Sequence, residues 1–225
     1  MLYKTKDKTA LVFGANGLVG SELTSLLLTN DHYDCVKVFV RRKMETQHPK
    51  LIQVINSLDN PEDISEEIKG DDLYCCLGTT KKKAGSREAF EWVDLHLPLK
   101  IAEIAEKNEV RKFLVVSSIG SKPDSRNFYL RTKGNMEQAI LKRNFTTICI
   151  VRPSILLGKR PEKRPMEELG KSIIQIFSFM LKGPLKKYRG IQAETVARAM
   201  IRLANSVNTR VILESHKLQD TGNQL

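Results

Sequence analysis

Apolar residues along this 225-residue chain gather into short runs separated by polar or amphipathic stretches, the alternation of strands and helices taken in turn. The first run, TALVF at residues 9–13, breaks into glycines at 14, 17 and 20 and passes into the helix-like SELTSLLLTN. CVKVFV at 35–40 predicts the second strand, LIQVI at 51–55 the third, DLYCCLG at 72–78 the fourth, KFLVVSS at 112–118 the fifth and TTICIVRP at 146–153 the sixth. Between the third and fourth, Asn60 is placed to cap a helix, with Pro61 at its first position, Glu62 and Asp63 in its first turn and Gly70 just past its end. Residues 86–107 carry a helical stripe of Phe90, Val93, Leu97, Ile101, Ile104 and Ala105, with Pro98 expected to kink it. A further helix is expected over 129–143. Strands that are apolar throughout suit a sheet buried on both faces. The fold class expected is therefore α/β, a doubly wound, mostly parallel sheet within a single domain spanning 1–225. After Pro153 the rhythm changes to a basic, proline-rich loop, a very apolar helix at 172–181, a helix at 194–205 and a last strand, RVILE. The stretch 156–225 is expected to form a small region closing over the carboxyl edge of the sheet, on the substrate side.

The glycine spacing adds a ligand to this architecture. A tight turn at Gly14, close backbone approach at Gly17 and close helix–strand packing at Gly20 allow a dinucleotide pyrophosphate to sit on the helix N-terminus, where unpaired N–H groups attract anions. The pattern is GxxGxxG, a variant of the GxGxxG fingerprint. The strand before it, the helix after it and the second strand supply the βαβ setting of a Rossmann domain. At the end of the second strand, beside the expected adenosine ribose, the chain reads Val40-Arg41-Arg42-Lys43 with no carboxylate in reach. Guanidinium groups bind a 2′-phosphate bidentately, so Arg41 and Arg42 favour NADP(H) over NAD.

A second constellation follows the double serine Ser117-Ser118. Tyr129 and Lys133 are four apart on a helix and share a face, so the ammonium can lower the phenol from its reference pKa of about 10. Such a phenol can protonate a carbonyl or deprotonate an alcohol near neutral pH, and a serine at the carboxyl end of the fifth strand can bond the same oxygen. Tyr33 and Lys37 match the same YxxxK spacing, but Lys37 lies inside the second strand, where no helix aligns the two side chains.

Composition narrows the class. The apolar runs are shorter than the roughly 20 residues a membrane-spanning helix needs, and the charged start MLYKTKDKT does not resemble a secretory signal, so a soluble, cytoplasmic protein is expected. Cys35, Cys75, Cys76 and Cys149 lie in strand-like runs without CxxC spacing, which reads as buried reduced thiols and not as a metal site. The net charge of +11 belongs to the second half. Residues 1–100 carry a net −1 and 101–225 a net +12, concentrated in KRPEKRP at 159–165 and LKKYR at 185–189. A solvated surface accounts for such charge, and an anionic substrate or acidic partner would also gain from it. No nucleic-acid motif accompanies it.

With GANGLVG, the serines and YLRTK in place, the chain resembles the short-chain dehydrogenase/reductase superfamily in its extended or atypical branch. YCCLGTTKKKAGS, FLVVSSIGSKPDS, NFYLRTKGNMEQ and GKRPEKRP are similar, more narrowly, to the Tat-interacting protein family of oxidoreductase-like proteins. The resemblance implies catalytic roles for Ser118, Tyr129 and Lys133, with Lys133 also holding the nicotinamide ribose. It assigns Gly14, Asn16, Gly17, Leu18, Val19 and Gly20 to the pyrophosphate turn, Arg41 and Arg42 to the adenosine phosphate, and Leu77, Gly78 and Thr79 to the middle of the cofactor. Pro153, Ser154 and Ile155, in VRPSILLG, would border the nicotinamide. Two positions depart from the superfamily pattern. Asn56 stands where many relatives place an aspartate near adenine, and Asp94 or His96 stands in the helix that carries an active-site asparagine elsewhere. An NADP(H)-dependent oxidoreductase acting on a small carbonyl or alcohol, anionic if the basic lining reaches it, is the function expected. The alternative is an NADPH-binding regulator that offers the apolar helix around Ile173, Ile176, Phe177 and Met180, beside the basic tail, to a protein partner. A third reading places the basic tail on an acidic membrane surface.

Overall fold

The computed structural model describes residues 8–158, 189–206 and 210–223. The apolar helix expected at 172–181 and the basic loop at 159–165 lie outside them. In chain order the elements are β1 (Lys8–Phe13), α1 (Leu18–Leu28), β2 (Tyr33–Val40), β3 (Leu51–Ile55), a 3₁₀ segment (Pro61–Glu67), β4 (Asp72–Cys75), α2 (Lys81–Ala84), α3 (Arg87–Glu91), a π-helical turn (Trp92–His96), α4 (Leu97–Lys107), β5 (Lys112–Val116), α5 (Phe128–Ile140) and β6 (Thr147–Arg152). The tail adds the short pair β7 (Leu156–Leu157) and β8 (Ile191–Gln192), then α6 (Ala193–Ala204), β9 (Arg210–Glu214) and α7 (Ser215–Asn223).

Among the described residues, seven strands form one sheet in the order β3-β2-β1-β4-β5-β6-β9, every neighbouring pair parallel. The first six reproduce the doubly wound order, whose direction of winding reverses between β1 and β4 and opens a crevice at the carboxyl ends of those strands. RVILE takes the seventh place, so this part of the tail widens the sheet.

Side-chain alternation along each strand builds two cores. Ala10 and Val12 of β1 face α1 and α6 with Val36, Val38, Leu114 and Val151, while Leu11 and Phe13 face α4 and α5 with Phe39, Phe113, Val115 and Ile150. Each of these side chains is buried, which is why the strands read as continuous apolar runs and not as alternating ones.

Local details differ from the sequence expectation where side chains found other partners. Asn60 does not cap a helix, because its amide donates instead to Asp63 Oδ1 at 2.6 Å, and the segment after it is 3₁₀ with a break at Ile64. The kink expected at Pro98 is a π turn. The Leu97 N–H bonds the Trp92 carbonyl five residues back, and Pro98 enters the following helix at a position that needs no N–H donor. That turn lies immediately before α4 and carries Asp94 inward and His96 to the surface.

The amino-terminal edge of the sheet holds a buried polar cluster. The Tyr33 hydroxyl donates to Asp72 Oδ2 at 2.6 Å and lies 2.7 Å from the Tyr74 hydroxyl, and Lys8 Nζ sits 3.6 Å from the same carboxylate. Burial, then the Asp72 charge, raise the Tyr33 phenol far above its ordinary range, so it is a neutral donor at all working pH values. Asp72→Ala removes the charged partner of both groups, leaving the hydroxyl to Tyr74 and Lys8 to the Asn205 Oδ1 at 3.1 Å. It should lower unfolding free energy by about 3 kcal/mol in urea titration, with the slope of the transition unchanged.

Candidate active site

The glycine turn is shaped by close approach. Gly14 has φ +84°, and a Cβ there would lie 2.6 Å from the Cys76 carbonyl oxygen at the end of β4. A Cβ on Gly20 would lie 2.1 Å from the Gly14 oxygen, closer than any side chain permits. The turn therefore folds tightly enough to bring the start of α1 over the crevice, where Gly17 is the N-cap without a side-chain cap and Asn16 is exposed. First-turn amides left without a side-chain partner, and no acidic residue in that turn, suit an anion on the helix axis. Leu18 and Val19 point the other way, into the core, with Leu18 against Gly158 of the tail. These residues fit a dinucleotide pyrophosphate.

Arg41 and Arg42 follow β2 at the surface. Gln53 of β3 holds the loop behind them: its Oε1 accepts from the Met44 N–H at 2.7 Å and its amide donates to the Met44 carbonyl at 3.2 Å. Asn56 also has a local task, its Oδ1 accepting from the Leu58 N–H at 2.7 Å, which leaves the NH₂ end of the amide to face outward.

The catalytic candidates are held by α5. Asn127 caps it, accepting from the Leu130 N–H at 3.3 Å, and Tyr129, Lys133 and Glu137 then follow at four-residue steps along one face. Lys133 Nζ lies 2.8 Å from Asp94 Oδ1, and both side chains are almost wholly buried, at 4% and 1% exposure. The other Asp94 oxygen accepts from the Thr79 N–H at 2.8 Å, and Lys133 also reaches the Val116 carbonyl at 3.4 Å. Gly78 lies against the pair, since a Cβ added to it would sit 3.5 Å from Asp94 and 3.9 Å from Lys133. An ammonium has three donors, so one remains for a ligand beside Gly78. Burial, the largest single influence, pushes the Lys133 pKa down. The charges of Asp94 and Tyr129 and the Asp94 hydrogen bond together outweigh it, and the pKa is raised above the ordinary 10.5.

The two serines are sorted by their surroundings. Ser117 is buried and donates to Glu137, whose carboxylate is also gripped by the Arg152 fork from β6, with Nε to Oε1 at 2.9 Å. Ser118 is only half-buried, and its hydroxyl has no better partner than the adjacent Ile119 carbonyl at 3.4 Å, which leaves it available to a substrate. The loop that follows is pinned to α5. Its Lys122 N–H bonds the Leu130 carbonyl at 3.2 Å, and a Cβ on Gly134 would meet the Lys122 and Pro123 backbone at 2.3 to 2.7 Å. Tyr129 is half-buried, its ring edge-on to Phe90 at 5.9 Å.

Beyond β6, the Ile119 N–H bonds the Pro153 carbonyl at 3.0 Å, so Pro153 runs beside Ser118. Ile155 is 48% exposed, the kind of apolar surface a flat ring covers. The Ser154 hydroxyl is engaged elsewhere, bonded to the Arg189 carbonyl and 2.9 Å from Ser215 of α7. Burial pushes the Cys75 thiol up to about 11 and Cys149 up to about 12, so neither is a nucleophile near neutral pH. Among the described residues no group of His, Cys, Asp or Glu is arranged to hold a metal, and no helix is long and apolar enough to cross a membrane.

Sequence reasoning missed Glu137, Arg152 and Gln53. Glu137 was accessible in principle, as an acid four residues past Lys133 on the buried face of the same helix.

Comparison with known proteins gives the chain its relatives. The family model described as NAD(P)H-binding matches residues 14–206. The mitochondrial protein FMP52 of Debaryomyces hansenii is 30% identical over 208 residues, covering 90% of each chain. Protein HTATIP2 of Rattus norvegicus is 30% identical over 203 residues, covering 88% of this chain and 82% of that one. Among solved structures, MoeE5 in complex with UDP-glucose and NAD superposes with a TM-score of 0.68 at 16% identity, covering 93% of this chain and 79% of the other, a likeness of fold. The expectation of a cytoplasmic protein is overturned by the FMP52 relatives, which are named mitochondrial. The absence of a secretory signal separates secreted from retained proteins, and it does not separate the cytoplasm from an organelle. The chain belongs to the NAD(P)H-binding family, with HTATIP2 and FMP52 among its homologues and a Rossmann fold shared with its structural neighbours.

Proposed function

We propose that the protein is an NADP(H)-dependent oxidoreductase of the short-chain dehydrogenase/reductase type, acting on a small carbonyl or alcohol and working in mitochondria as its FMP52 relatives are named to do. The observation that carries the reading is the face of α5, which sets Tyr129 one turn from a buried, charged Lys133 beside Gly78 after β4 and Val116 at the end of β5. The nicotinamide, when bound, supplies or accepts the hydride. Tyr129 gives the proton to the substrate oxygen or takes it back, and Ser118 donates a hydrogen bond that orients the same oxygen. Lys133 keeps positive charge beside the phenol and directs its remaining donor toward the ribose. Asp94 fixes where that ammonium stands, taking the place of the asparagine expected in that helix. Arg41 and Arg42, exposed and in no ion pair among the described residues, select the 2′-phosphate. Subcellular fractionation tests the location; recovery in the cytosol alone would reject it.

Titration with the two reduced cofactors should show NADPH binding at least about tenfold more tightly than NADH, and Arg41→Ala with Arg42→Ala should remove the difference. Equal affinities would refute the assignment. With NADPH bound, Tyr129→Phe should lower turnover by about a hundredfold or more while cofactor affinity is retained. NADPH binding without turnover on any carbonyl by the unaltered protein would favour the regulator reading over the enzyme.

Asp94→Asn supplies a pH test. In the unaltered protein the folded pKa of Lys133 lies above its unfolded value, so its contribution to stability is fully present below about 10.5 and is lost as pH rises through the folded value. Removing the Asp94 charge takes away the largest influence that opposes burial and lowers the folded pKa. The gap in stability between the unaltered protein and the variant should then narrow as pH rises through about 10.5. Parallel curves in denaturant would show that Asp94 does not hold the Lys133 charge.

A further inference from the structure

Three cations surround one aromatic ring at the mouth of the crevice. Lys81 Nζ stands 5.7 Å from the centre of the Phe128 ring, the Arg87 guanidinium carbon 5.4 Å and the Arg131 guanidinium carbon 5.9 Å. Lys81, Gly85, Ser86, Arg87 and Phe128 line an open cavity of about 170 Å³. Gly85 adds space there, since a Cβ on it would meet nothing within 4 Å. Among the described residues none of the three cations forms an ion pair. Arg131 donates to the Ser125 carbonyl at 2.8 Å, and the nearby Glu88 interacts first with its own backbone and with Ser86, and only last with Arg87. The electron-rich face of a ring holds each cation, yet it does not cancel their mutual repulsion. An anion in the cavity would.

The cluster stands at the catalytic end of the crevice. Phe128 precedes Tyr129 in α5, and both rings pack against Phe90, with centroids 5.5 and 5.9 Å away. Arg41 and Arg42 follow β2, whereas Lys81 follows β4, two strands across the sheet and beyond the reversal of winding. The two basic groups thus lie on opposite sides of the point where the winding reverses. The net charge of −1 over residues 1–100 hides the stretch KKKAGSR, at 81–87, which carries four positive charges and no negative one.

We propose that Lys81 and Arg87, which line the cavity beside Phe128, form a binding site for a carboxylate or phosphate on the substrate, so that the substrate class is a small carbonyl compound with an anionic group set away from the reacting carbon. The inference rests on the oxidoreductase reading for the identity of the anion as substrate, and on the cation cluster alone for the existence of the site.

The test compares 4-carboxybenzaldehyde with benzaldehyde on the NADPH-loaded full chain, following binding by ligand-observed NMR and turnover by NADPH absorbance. At low salt the carboxylated probe should bind roughly tenfold more tightly, and the preference should shrink as salt rises. Lys81→Ala with Arg87→Ala should bring the ratio close to one while NADPH affinity and the melting temperature stay as they were. Equal binding of the two probes, binding of neither, or a preference that survives the double substitution would overturn the site. A preference that the substitutions abolish, with neither probe oxidising NADPH, would keep the site and reject the redox reading. Turnover of both probes without preference would do the reverse.

Discussion

A single buried ion pair fixes the relation among the parts of this site. Lys133 and Asp94 join α5 to the π turn before α4, and through the Thr79 amide and the Gly78 backbone they reach the end of β4. Taking both charges out of water carries a penalty of several kcal/mol per ion, which the pair recovers only through good geometry and additional hydrogen bonds. Its value therefore lies in position more than in stability. An ammonium fixed this way cannot wander, and a neighbouring phenol experiences a constant charge.

The same helix repeats the device one turn further on. Glu137 is held by Arg152 from β6 and by Ser117 from β5, so α5 is tied to two strand ends below the point where Tyr129 projects. Tyr129 thus stands half-buried at the open end of a face whose next two positions, Lys133 and Glu137, are buried and each held by two residues. The loop bearing Ser118 is fastened to this helix by the Lys122 to Leu130 bond and by the absence of a side chain at Gly134. The serine and the tyrosine are consequently fastened to one another, although they stand eleven positions apart in the chain.

The fold was legible in the sequence because its central strands are buried on both faces and read as apolar runs; the edge strands LIQVI and RVILE, although more exposed, were visible as apolar runs too. The glycine turn was legible because its spacing is dictated by backbone contact, since a Cβ on Gly20 would stand only 2.1 Å from the Gly14 oxygen. What escaped notice were polar side chains whose partners come from distant elements. Nothing near Arg152 in sequence announces Glu137, and Gln53 in the middle of β3 looks like any edge-strand glutamine until the Met44 loop lies over it. Asn60 misled because a capping residue and a side chain that bonds its third neighbour look alike in one dimension. Pro98 announced a distortion correctly, but not its form, a π turn whose inward Asp94 meets Lys133 of α5. The choice between Asp94 and His96 required the turn itself.

Gly134 has an evolutionary corollary. With the Lys122–Pro123 backbone lying where a methyl group would be, any enlargement at that position must push the serine loop off its helix, so mutational drift in the loop and in the helix is coupled. In the segment after β4 no neighbouring atom blocks a side chain at Gly85, where only the positive φ of +81° resists one. Descendants of this sequence are thereby freer to diversify along the lysine-rich rim than behind the serines, and selectivity can change there while the proton-handling core is inherited intact.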